Sequence, residues 1–304
     1  MRKNRLGISD LYVSEIGLGC MSLTEDQQTN TRIIHEAMEA GVNFFDTADL
    51  YEFGMNEESV GKAIEGNRQN IILASKGGNE WGEGIDGWRW NPSKNHLKSA
   101  VKDSLRRLNT DYLDLYQLHG GTIEDPIDET IEAFEELVKE GIIRYYGISS
   151  IRPNVIKAYL EKSNIVSIMM QYSLLDRRSE EWFNLIGQSN VSVIARGTVA
   201  KGLLTDKYER KLSSDGYMTY SEVELKNIIN NLLNEADKMG LTLQQLALRF
   251  AIDHYPVAAA VAGASRLEQL KDNLSATELP ALSEKESKVL QELTTKTGYT
   301  KHRD

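Results

Sequence analysis

The sequence predicts an α/β fold, a closed (βα)8 TIM barrel, and three observations predict it. Eight short β-rich runs recur near residues 16–20, 43–48, 71–76, 113–118, 143–149, 166–172, 191–196 and 258–263. Amphipathic helical stretches separate them, and such alternation implies parallel strands joined by right-handed crossovers. Several runs end in polar side chains, at the place where a barrel gathers its chemistry. Eight repeats favour closure over an open sheet. The length of 304 residues suits a single domain spanning 1–304.

The elements follow in order. KNRLGISDLYVS (3–14) reads as a β-hairpin turning at Gly7 to Asp10. The clearest helical patterns are KNHLKSAVKDSLRRL (94–108) and DETIEAFEELVKE (128–140). NEWGEGIDGWRWNP (79–92) is longer than a usual βα loop and carries Trp81, Trp88 and Trp90. Those rings either wall a pocket at the barrel mouth or anchor the loop to the outer helices. Residues 205–222 are the least patterned stretch and read as a loop. An extra helix near 283–296 follows the eighth repeat and is expected to pack outside the barrel.

Composition narrows the function. With 35 basic and 45 acidic residues the formal charge is -10, which speaks against binding a nucleic-acid backbone. Cys20 is the single cysteine, so no internal disulfide and no cysteine-rich metal site is expected. HExxH is absent as well, and His35, His96, His254 and His302 lack ligand spacing. The first residues lack the apolar core of a signal peptide, and no run approaches the roughly 20 apolar residues of a membrane span. The expectation is a cytoplasmic protein acting on a small molecule. GLGCMS (17–22) lacks the third glycine of a Rossmann fingerprint, and no Walker motif occurs.

Four polar residues stand out at or just beyond strand-like runs: Asp46 and Tyr51 in DTADLY, Lys76 in SKGG, and His119 in YQLHGG. A phenol is a weak acid at neutral pH, and a neighbouring ammonium lowers its pKa. A buried lysine needs a carboxylate partner, which Asp46 supplies. Tyr51 could then pass a proton to a carbonyl oxygen that His119 orients. Singly, each residue reads as structural: a capping Asp, a solvated Lys, a packing Tyr. Together they fall in order on the second, third and fourth runs.

In these motifs the chain resembles the aldo-keto reductase superfamily, over nearly its whole length. The resemblance implies a barrel capped at its bottom by the N-terminal hairpin, with Asp46, Tyr51, Lys76 and His119 as catalytic tetrad and Tyr51 as acid and base. It also implies NADPH/NADP+ as cofactor and an aldehyde or ketone as substrate. Ser149 in YYGISS and Gln171 in SIMMQYS match groups that hold the carboxamide. Ser150 stands where many relatives have Asn. Gly202, Leu203 and Lys207 in AKGLLTDK match a pyrophosphate loop. GASRLEQLKDN matches the adenosine and 2′-phosphate site through Gly263, Ser265, Arg266, Gln269, Asp272 and Asn273. Ser265, with Glu268 three residues on, also reads as the N-cap of a helix. Arg196 occupies the slot where relatives carry an aromatic that stacks on the nicotinamide. Two readings stay open beside reductase: an NADPH-binding regulatory or interaction barrel, and hydrolytic or isomerase chemistry without the cofactor.

Overall fold

The computed structural model describes residues 1–303. The chain opens with an antiparallel hairpin, β1 (Lys3–Arg5) and β2 (Tyr12–Ser14), with Asn4 opposite Val13. The barrel strands follow: β3 (Ile16–Gly19), β4 (Phe44–Asp46) and β5 (Ile72–Gly77). A second small hairpin, β6 (Asn79–Glu80) and β7 (Arg89–Trp90), intervenes. The barrel continues with β8 (Leu113–Leu118), β9 (Ile143–Ser149), β10 (Ser167–Gln171), β11 (Ser192–Arg196) and β12 (Val257–Gly263). All eight pair in parallel, and β12 returns to β3 to close the ring.

The helices are α1 (Gln27–Glu39), α2 (Met55–Ala63), α3 (Lys94–Leu108), α4 (Ile127–Lys139) and α5 (Pro153–Lys162). They continue as α6 (Glu180–Gln188), α7 (Glu222–Met239), α8 (Leu243–Ile252), α9 (Leu267–Ser275) and α10 (Glu284–Glu292). Local chemistry sets several starts. Asp26 and Ser93 cap α1 and α3, and capping boxes open α7, α8 and α10.

Strands covered on both faces are mostly apolar, and β5 and β8 are buried at every residue. Phe44, Ile72, Leu115, Met169 and Ile194 fill the barrel interior, while Phe45, Leu73, Leu113, Ile168 and Val193 meet the helices. The first hairpin closes the bottom. Asn4 Nδ2 donates to the Ala258 carbonyl (2.8 Å), the Gly7 N–H donates to Ser192 Oγ (2.8 Å), and Leu6, Leu11 and Val13 plug the floor.

Two stretches read as plain loops carry structure. Residues 79–92 contain the β6–β7 hairpin, and 205–222 contain a 3-10 turn at Tyr208–Lys211 and a bridge between Tyr217 and Tyr220. The tryptophans divide. Trp90 donates from Nε1 to Asp125 Oδ1 (2.9 Å) and lays its ring on Gly78 and Gly120 at the mouth. A Cβ at either glycine would come within 2.9 or 3.4 Å of that ring, and both hold positive φ, 115° and 139°. Trp81 packs outside, edge-on to Phe53 and under the Arg107 guanidinium. Trp88 is exposed. Helix α10 stops short of the expected 296, and the chain beyond it folds back over the barrel mouth.

One buried carboxylate ties the lower barrel together. Asp114 pairs with Arg68 (2.9 Å) and Arg144 (2.8 Å) and accepts the Leu73 N–H (3.0 Å). Asp114→Ala leaves an unmet N–H and two half-shielded cations, so we expect a loss of about 2–4 kcal/mol, below the fully buried case. Urea unfolding measures it; a change under about 0.5 kcal/mol contradicts the assignment.

Candidate active site

Three successive strand ends bring Asp46, Tyr51, Lys76 and His119 together. Lys76 is fully buried, and its ammonium uses all three N–H groups. They reach Asp46 Oδ2 (2.6 Å), the Thr47 carbonyl (2.8 Å) and the Tyr51 hydroxyl (3.2 Å). Gln117 donates to the other Asp46 oxygen (3.3 Å). Burial pulls the lysine pKa down, yet Asp46 and Tyr51 outweigh it and the net direction is up. The group is a fixed cation at any ordinary pH.

Tyr51 sits on a strained turn. Glu52 and Phe53 both hold φ of 50°, a left-handed conformation rare outside glycine, and Gly54 follows at 87°. Such strain costs about 1–3 kcal/mol per residue and marks positions that the surroundings over-determine. The Tyr51 ring meets His119 edge-on, with centroids 5.8 Å apart. Sequence reasoning expected Lys76 to lower the phenol's pKa. Burial instead wins: it pushes Tyr51 up, and Lys76 offsets only part of the rise. The phenol therefore stays protonated. His119 goes the other way. Burial, then the Lys76 and Arg196 charges, lower it to about 3, so its ring is neutral, and its Nδ1 is buried without a partner.

Behind the tetrad lies a second buried ionic layer, which the sequence reading passed over. Glu57 accepts from Arg107 Nε (2.7 Å) and Ser75 Oγ (2.5 Å). Asp49, two residues before Tyr51, donates its N–H to the Lys76 carbonyl (3.2 Å). Burial and then Glu57 push its carboxyl up to about 8.

The residues matched to a cofactor lie at or beyond the ends of β9, β10, β11 and β12. Ser149, Ser150 and Arg196 line a mouth cavity of about 850 Å³. Gln171 is held from both sides: Arg196 donates to its Oε1 (3.3 Å), and its Nε2 donates to the Tyr217 hydroxyl (3.1 Å). Gly202 (φ 92°) follows Lys201 in a tight turn, Lys207 is exposed, and Leu203 is buried, leaving its backbone as the available contact. Gly263 ends β12, and Arg266, not Ser265, is the N-cap of α9. Ser265 does not cap the helix: its N–H and Oγ both donate to Gln269 Oε1 (2.9 Å each). No side chain caps α9, so the N–H groups of its first turn face outward beside the exposed Arg266. Asp272 is exposed, while Asn273 is buried and donates to the Gly263 carbonyl (3.1 Å). An uncapped helix start and the exposed arginine at its N-cap offer donors suited to a phosphate.

The cavity also contains residues that the sequence reading did not find: Arg152, Arg178, Met218 and the tail Thr297–His302. The tail is pinned by the Asn154 N–H to the His302 carbonyl (2.8 Å), by the Arg303–Glu181 pair (2.7 Å) and by Arg178 over the Tyr299 ring (4.8 Å). Among the described residues no cluster of potential metal ligands occurs, and no helix is long and apolar enough to cross a membrane.

Known proteins match this arrangement. The model of the Aldo/keto reductase family matches residues 15–295. An uncharacterized oxidoreductase, YqkF of Bacillus subtilis, is 54% identical over the full length of both chains. The aldo-keto reductase YhdN of the same organism is 30% identical and aligns over 89% of this chain and 87% of its own. Among solved structures, the holo form of aldo-keto reductase AKR11C1 from Bacillus halodurans superposes with a TM-score of 0.94 at 56% identity over both full chains. An aldo/keto reductase from Klebsiella pneumoniae, solved with NADP and acetate, gives 0.79 at 28% identity, covering 100% of this chain and 99% of its own.

The His119 environment yields a prediction. Between its native pKa of about 3 and its ordinary 6.5, the unfolded chain binds a proton that the native site refuses. Its contribution to stability is thus complete above pH about 6.5 and is lost as pH falls toward about 3. In a two-dimensional NMR titration the His119 ring should stay neutral down to pH about 4. A midpoint near its ordinary value would contradict the buried geometry.

Proposed function

The chain belongs to the aldo/keto reductase family, and on that premise we propose that it reduces aldehydes or ketones to alcohols with NADPH, using Tyr51 as proton donor. The single observation that carries this reading is the Lys76 ammonium, buried and shared between Asp46 and the Tyr51 hydroxyl. Ser149 and Gln171 would hold the nicotinamide carboxamide. Gly202, Leu203 and Lys207 would hold the pyrophosphate, with Gly263, Ser265, Arg266, Gln269, Asp272 and Asn273 around the adenosine end. NADP in the Klebsiella relative supports the cofactor class. When bound, the reduced nicotinamide supplies hydride.

The chain's own residues handle the proton. As the carbonyl oxygen gains negative charge, Tyr51 donates to it, and the Lys76 ammonium stabilises the phenolate left behind. Neutral His119 adds a hydrogen bond to the same oxygen without competing as a cation. A phenol whose pKa is raised stays loaded with its proton at neutral pH, which suits reduction; alcohol oxidation needs the phenolate and so gains at alkaline pH. Arg196 beside the ring slot would disfavour the positively charged oxidised nicotinamide, which pushes the same way.

Two variants test this. Tyr51→Phe should keep NADPH binding and lose about 10²–10⁴-fold in carbonyl reduction. Near-normal turnover in a panel of aldehydes would refute the assignment. Arg266→Ala should weaken NADPH more than NADH, by about 1.5–3 kcal/mol for a charge-assisted hydrogen bond. Equal losses, read by fluorescence titration of both cofactors, would remove Arg266 from the 2′-phosphate.

A further inference from the structure

We propose that the mouth cavity selects carbonyl substrates that carry an anionic group, a carboxylate or a phosphate, at the end away from the reacting carbon. The inference rests on the reductase reading and adds the substrate class. Four cationic side chains line the cavity, Arg152, Arg178, Arg196 and Lys301, and among the described residues no Asp or Glu does. The contrast is sharp in a chain whose formal charge is -10.

One of the four is already neutralised. Arg178 is held by Asp176 through two bonds of 2.8 Å. The other three lack a carboxylate among the described residues. Among the described residues, the Arg196 guanidinium donates to the neutral Gln171 (3.3 Å), Arg152 donates to the Gly121 carbonyl, and Lys301 forms no ion pair. Like charges gathered in one recess repel unless an anion joins them.

The cofactor's phosphates do not account for these charges. The cations assigned to them, Lys207 and Arg266, stand on other loops and do not line this cavity. The recess is also joined to the chemistry. Gly120 lines it directly after His119, and the Arg196 charge is felt at Asp46, Tyr51 and His119. Ile151, Met218 and Tyr299 supply apolar wall for the carbon chain between the two polar ends.

The test uses the full chain with NADPH and two matched pairs: succinic semialdehyde against butanal, and glyceraldehyde 3-phosphate against glyceraldehyde. The expected result is a kcat/KM at least about tenfold higher for the anionic member of one pair at low ionic strength, as for a hydrogen bond to a charged group. Which pair responds tells carboxylate from phosphate. Added salt, and Lys301→Gln or Arg152→Gln, should bring that ratio toward one. A ratio near one in both pairs, with the neutral aldehydes reduced, overturns the inference and leaves the reductase reading standing. No NADPH oxidation with any of the four compounds overturns both.

Discussion

The Lys76–Asp46 ion pair is the constraint on which the site depends. Removing an ammonium from water costs several kcal/mol even after relaxation. The barrel meets that cost with a carboxylate at 2.6 Å and a backbone carbonyl at 2.8 Å, leaving one N–H for Tyr51. Breaking the pair would leave a buried charge alone, so both partners are locked in place. The pairing needs three neighbouring strands in fixed register, with Asp46 opposite Ala74 and Lys76 opposite Gln117. The closed barrel provides that register, and the chemistry inherits its rigidity.

Around this fixed pair, charge is arranged in shells. Glu57, Arg107 and Asp49 lie behind the lysine, inside protein. Arg196, Arg152 and Lys301 lie ahead of it, at the rim. Asp46, Tyr51, Lys76 and His119 thus sit between a buried Glu57–Arg107 pair and a cationic mouth. The tail Thr297–His302 completes the rim by closing over strands whose residues are more than 100 positions away in sequence.

The barrel was legible because its signals are local. Runs such as IILASKGG and DLYQLHGG are rich in apolar residues, as doubly covered strands tend to be, and all eight fall where strands form. The meeting of Asp46, Tyr51, Lys76 and His119 was legible because their motifs fall in order on neighbouring strands. What stayed hidden depends on distant contacts. Nothing in GYTKHR (298–303) announces that it docks on α5 and α6, because Asn154 and Glu181 hold it from far along the chain. The acidity of Tyr51 was misread because a neighbouring lysine shows in sequence and the depth of burial does not. Ser265 had the spacing of a cap, but its hydroxyl turned to Gln269, freeing the helix start.

The most direct measurement is the rate of hydride transfer in Lys76→Met, followed by stopped-flow NADPH oxidation at saturating cofactor. The substitution removes the cation while keeping the volume of the side chain. If the ammonium stabilises the Tyr51 phenolate, the rate should fall by about 10²-fold or more while NADPH still binds. A rate within a few-fold of the parent would contradict the account, because the proton would then be leaving Tyr51 without the charge that the barrel is built to hold.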